Sequence, residues 1–146
     1  MLAKIRLFAV AIAASLVFIF IAFAILDAIW LGLIASDLYQ TEMQGMLRSE
    51  FITWPWVMFY LMYGSITFVL AVVPNRDKPW FYAVIDGALL GIASYGAYNL
   101  TNYSILDGFT FKIMVIDWVW GTSLTATCAL AGWLGFTRFA SNENQS

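Results

Sequence analysis

Asp27, Asp86 and Asp117 lie within stretches otherwise apolar enough to cross a lipid bilayer. A carboxylate deep in hydrocarbon costs roughly 2.5 to 3.5 kcal/mol even on lenient insertion scales, so each is expected to face a bundle interior and to have a task there. The chemistry open to such groups is proton exchange, cation binding or hydrogen bonding to a polar solute. Neighbouring carboxylates cannot both ionise cheaply, so a pair predicts a shared proton or a bound cation. Histidine is absent and Cys128 stands alone. Those two facts exclude His-ligated haem, zinc fingers, disulfides within the chain and any Ser-His or Cys-His catalytic pair. Protons here must move on carboxylates, tyrosines or water.

The elements that position these groups follow from composition. The chain has 146 residues, 62% hydrophobic and only 11% charged. Soluble domains carry about twice that charged fraction, so one all-α integral membrane domain, a four-helix bundle over residues 1–146, is the economical reading. A net charge of −2 without a basic cluster predicts no nucleic-acid partner. A span needs about 20 mainly apolar residues. Four segments qualify: residues 7–34, 52–73, 80–103 and 113–136. Pro74 and Pro79 bracket one turn, and Asp107-Gly108 marks another. Between Ser36 and Phe51, Tyr39, Met43, Met46, Leu47 and Glu50 fall at helical spacing, which predicts a short interfacial helix between the first two spans. Lys4, Arg6 and Ala22-Phe23-Ala24 mimic a cleaved secretory signal, but apolar character continues to Ile34, which favours a retained span.

Lys4, Arg6, Arg76, Lys78 and Arg138 fall on one side of a four-span chain, against Arg48 and Lys112 on the other. That bias predicts both termini in the cytoplasm. With about 1.5 Å of rise per residue, Asp27, Asn99 and Asp117 then share one level of the outer leaflet, with Asn102 somewhat further out and Tyr60 and Tyr63 nearer the midplane. Asp86 lies toward the cytoplasm, with Ser15 and Thr67 its expected polar neighbours and a possible second polar site. Asp117, Gly121, Thr125, Cys128 and Gly132 form a small, polar stripe, as do Gly87, Gly91, Tyr95, Asn99 and Asn102. Small residues of this kind most often serve packing, and most of the aromatics serve as interfacial anchors. Trp30 and Trp120 are different, because each follows an aspartate by three positions on the same face. The resulting Asp-x-x-Trp echo on antiparallel first and fourth spans hints at an inverted repeat. Asn99 and Asn102 also head glycosylation sequons, a match without meaning inside a span.

These residues carry a resemblance. Asp27-x-x-Trp30-Leu31-Gly32, Phe59-Tyr60-x-x-Tyr63-Gly64, Gly87-Ala88-x-x-Gly91 with Tyr95-x-x-Tyr98-Asn99-Leu100-Thr101-Asn102, and Asp117-x-x-Trp120-Gly121 resemble an uncharacterised bacterial family of small four-helix inner-membrane proteins. The likeness covers about residues 7–136. It implies the fold and a bacterial inner-membrane location, and brings no activity. The family pattern carries Asp where Asn99 stands, so this chain has one ionisable group fewer in the cluster.

Three functions compete. The first is a transporter or carrier in which Asp27 and Asp117 bind a cation or share a proton, Asn99 and Asn102 orient a small polar solute, and Tyr60, Tyr63, Trp30 and Trp120 wall the site. A homodimer is expected, since four helices seldom enclose a pathway. The second is a non-catalytic subunit of a membrane complex that binds lipid, pigment or partner helices. The third is an intramembrane lipid-modifying enzyme whose paired carboxylates act as acid and base. No catalytic residue, cofactor or metal is assigned, because the Asp-Asp pairs with Arg or Lys that serve prenyl or phosphate chemistry are missing.

Overall fold

Prolines punctuate this chain only where helices begin or end. A computed structural model describes residues 2–140, with side chains from Lys4 onward. It contains α1 (Leu2–Ile29), α2 (Ser36–Glu42), α3 (Trp54–Thr67), α4 (Trp80–Ile105) and α5 (Phe111–Ala140), and no strand among the described residues. Pro55 sits in the first turn of α3 and Pro79 immediately precedes α4, positions where the missing N–H costs nothing. Four helical stretches are long and apolar enough to cross a membrane: Lys4–Ile34, Trp54–Asn75, Trp80–Ile105 and Phe111–Ala140.

Two of those stretches change winding near one end. α1 runs into a π-helical turn, Trp30–Ile34, and Ala35 N–H donates to Trp30 C=O at 2.7 Å. α3 continues through a second π turn, Phe68–Val72, into a 3₁₀ turn, Val73–Asn75. Wider turns redirect side chains without breaking the backbone ladder, and they recur at functional sites.

α5 is the central helix, packed antiparallel to both α1 and α4. The register with α4 is set by close approach. A Cβ on Gly87 would lie 2.6 Å from Ala129 Cβ, and one on Gly91 would lie 2.7 Å from Thr122 Cα. Toward α1, Ser15 Oγ donates to Gly132 C=O at 2.7 Å. Lipid gives no hydrophobic drive to pair helices, so backbone approach through small residues supplies the packing contacts instead. α3 closes the bundle through Phe68, Ala71 and Val72, all buried. The outer faces are densely apolar, with Ile25, Leu61, Leu89 and Val119 each more than half exposed. In water such a continuous band would drive association; facing acyl chains it is the stable arrangement.

The segment between the first two spans differs from the sequence expectation. Helix is confined to Ser36–Glu42 and does not extend to Phe51, because Met43–Met46 form a turn in which Gly45 takes φ +83°. Leu38, Tyr39, Met43 and Met46 pack on Phe109, Ile113 and Met114 at the start of α5. The short helix is therefore docked against protein at the end of the bundle opposite the termini.

Candidate functional site

The three aspartates of the spans fall into two clusters, one at each end of the bundle. At the α2 end, Asp27 and Asp117 line one cavity of about 400 Å³. Each carboxylate is held by donors from other elements. Tyr60 Oη donates to Asp27 Oδ2 at 2.7 Å, and Trp120 Nε1 donates to Asp27 Oδ1 at 3.2 Å. Asn99 Nδ2 donates to Asp117 Oδ2 at 2.7 Å, and Tyr39 Oη makes a short bond to Asp117 Oδ1. Trp30 Nε1 donates in turn to Tyr39 Oη at 3.4 Å. The indoles of Trp30 and Trp120 stack face to face, 4.3 Å between centroids and 6° from parallel.

The two Asp-x-x-Trp motifs therefore exchange partners. Trp120, three residues beyond Asp117, serves Asp27; Trp30, three residues beyond Asp27, reaches Asp117 through Tyr39. The stacked pair joins the halves. Such a chain of charge-assisted bonds fixes rings and carboxylates together, and each bond is about twice as strong as a neutral one.

Around the carboxylates the walls are aromatic. Trp56, Phe59, Tyr95 and Tyr98 join Trp30, Tyr39, Tyr60 and Trp120 in lining the cavity, with Ser94 and Leu31 completing it. No lysine or arginine is among the lining residues. Burial and then the Asp117 charge push the Tyr39 phenol well above the usual tyrosine range, so it stays a proton donor at every physiological pH.

The remaining sequence candidates sit elsewhere. Asn99 is fully buried behind Asp117 and also donates to Tyr95 C=O at 3.0 Å, so it holds a carboxylate and does not wall the cavity. Its Oδ1 has no partner. Tyr63 lies one turn deeper than Tyr60, buried against Ser94 at 2.6 Å and Thr125 at 3.0 Å. Asn102 turns to the Tyr98 phenol and lines no part of the cavity.

Asp86 belongs to the other cluster. Its expected neighbours are engaged elsewhere: Ser15 with Gly132, and Thr67 with Tyr63 C=O at 2.9 Å. Its partner is Asn75, at the end of the 3₁₀ turn, which donates to Asp86 Oδ2 at 2.5 Å and to Ala71 C=O at 2.9 Å. Lys78 Nζ donates to Asn75 Oδ1 at 3.1 Å, and Trp133 Nε1 reaches the Asn75 and Lys78 carbonyls at 3.1 Å. These bonds tie the turn between the second and third spans to α4 and α5.

Tyr39 is the residue sequence reasoning missed as part of the site. The signal for it was thin: one phenol in a short segment, placed at the depth of Asp117 only because α2 folds back onto α5. Tyr98, Trp56 and Phe59 were hidden for another reason, since aromatics near span ends look alike whether they face headgroups or a cavity; Tyr95 was read only as a member of the third span's polar stripe.

Fold and cluster together define a helical membrane protein with an acidic, aromatic-walled recess at one end. The chain belongs to the family described as "Predicted membrane protein (DUF2177)", whose model matches residues 12–134. Comparison with curated proteins and with solved structures finds no match.

Proposed function

We propose that the recess binds a cationic or small polar solute and that the protein is a carrier or transporter for it. One observation carries this reading: two carboxylates line a single cavity whose walls supply aromatic faces and no basic side chain. Its volume falls in the range of about 300 to 1,000 Å³ typical of small-ligand sites. A positive ligand would neutralise Asp27 and Asp117 and lie against ring faces, which attract cations by about 0.5 to 2 kcal/mol each.

The bias of basic residues supports both termini in the cytoplasm, so that the recess opens outward, and the resemblance to small bacterial proteins supports an inner-membrane location. Reporter fusions at Ser146 test that orientation, and reconstituted protein cross-linked in liposomes tests the proposed homodimer. The binding test is thermal stabilisation of purified protein by a panel of cations, neutral polar solutes and anions. Cations are expected to raise Tm in a concentration-dependent way, and anions to leave it unchanged. Stabilisation by none of them would sink the proposal, and co-purification with a partner protein would then favour an accessory-subunit role.

A further inference from the structure

A second cavity, about 580 Å³, runs between α1 and α3 and shares Asp27, Leu31, Trp56 and Tyr60 with the first. Beyond those four its walls are wholly apolar: Phe20, Phe23 and Ala28 on the α1 side and Val57 and Leu61 on the α3 side are representative. Leu61 and Val57 are more than half exposed on the apolar outer surface, so this cavity borders the acyl chains. The two spaces meet at the Asp27 carboxylate. One is acidic and aromatic; the other is greasy and lateral.

We propose that the ligand is a cationic amphiphile, an organic ammonium whose head lies between Asp27 and Asp117 and whose hydrocarbon chain occupies the α1–α3 groove. The inference rests on the cation-binding reading above and adds to it the ligand's class and its route of entry. A bare metal ion suits the site poorly. Hard cations seek six or more oxygen ligands, whereas every Asp27 and Asp117 oxygen already accepts a phenol, indole or amide donor. An alkylammonium needs no such shell, since ring faces and a fixed negative charge recognise it. Its chain needs an exit that does not cross water, and the groove supplies one.

Gly32 permits a clean test. It lines the groove and not the acidic cavity, and a Cβ added there meets nothing within 4 Å. The position has room for a side chain, and Gly32→Leu is designed to obstruct the groove and spare the acidic cavity. The experiment is equilibrium binding of radiolabelled tetramethylammonium and dodecyltrimethylammonium to protein in nanodiscs of phosphatidylglycerol, a lipid without an amine. The native protein is expected to bind dodecyltrimethylammonium at least 100-fold more tightly. Gly32→Leu should remove at least tenfold of that advantage while tetramethylammonium stays within twofold, and Asp27→Asn should weaken both. A chain-length advantage that survives Gly32→Leu would overturn the amphiphile proposal, because the chain would then merely partition into the bilayer. Equal binding of both cations to native protein would overturn it too and leave the cation site standing. Binding of neither cation would remove both readings. Should Gly32→Leu fold poorly, Ala28→Leu on the same wall of the groove serves in its place, with the same outcomes.

Discussion

Asp27 and Asp86 are the same side chain placed inside apolar helices, and they end in opposite circumstances. Asp86 meets an amide from the adjoining turn, and that amide is itself held by Lys78 and a backbone carbonyl. Asp86 lines neither the acidic recess nor the lateral groove. Asp27 meets a phenol and an indole, both donors without charge, and opens on two cavities. A buried carboxylate whose bonds all come from structural neighbours ties helices together. One whose neighbours position it against empty space is arranged for something absent from the chain. The contrast separates a clasp from a recess.

The largest expected effect strikes the clasp. Asn75→Ala deletes a fully buried side chain that holds Ala71, Asp86 and Lys78 at once. Losing hydrogen bonds to a charged group, and leaving a carboxylate unpaired, costs about 3 kcal/mol. Unfolding in detergent should show a lowered midpoint, while cation binding at the far end keeps its affinity. Next comes the reverse pattern. Asp27→Asn keeps an oxygen to accept from Trp120 and sets an amide NH2 to donate to the Tyr60 hydroxyl, so stability should move by less than about 1 kcal/mol, yet cation affinity should fall at least tenfold. Asp86→Asn, run beside it, should leave affinity alone. If both variants lose binding equally, the two clusters are not separable and the comparison fails.

The sequence shows the spans well because hydropathy averages over about 20 residues and single errors wash out. The level of Asp27, Asn99 and Asp117 is legible for a related reason: helical rise is nearly constant, so counting from span centres places them at one end of the bundle. Counting fails where winding changes. The 3₁₀ turn at Val73–Asn75 carries Asn75 to Asp86, and no count along a regular helix anticipates that bond. Face assignment fails where two neighbouring turns both look inward, as with Tyr60 and Tyr63, since only packing decides which phenol meets the cavity. Tyr39 was illegible because its position depends on the tertiary docking of α2, which hydropathy cannot register.

Tyr39 also sharpens the comparison, with a smaller expected effect. Tyr39→Phe removes the hydroxyl that donates to Asp117 and accepts from Trp30, leaving Asn99 as the side-chain donor to Asp117. A cost of about 1 to 2 kcal/mol follows from the two lost hydrogen bonds. Hydrogen exchange should show it as faster opening of residues 36–42 with α5 unchanged. If instead the whole bundle loosens, α2 is a structural element of the fold and not a cover local to the recess.

The smallest effect concerns how α2 is latched. Lys112 Nζ donates to Glu42 Oε1 at 2.8 Å and Thr110 Oγ1 donates to Oε2 at 2.6 Å, and those bonds hold the Glu42 carboxyl below its usual range. A carboxyl lowered in the folded state adds stability that is present in full above its unfolded value, near 4.5, and is lost as pH falls through the folded value. Lys112 stands exposed and its charge is screened by salt, so the change is local and slight. Exchange protection in residues 36–42 should stay level from pH 7 to about 5.5 and decline below the unfolded value. Glu42→Gln is the control that isolates the latch: its protection should already be reduced at pH 7 and should change less with acid. A native-like decline in that variant would show that the Glu42 bonds are not what acid releases, and the latch reading would fall.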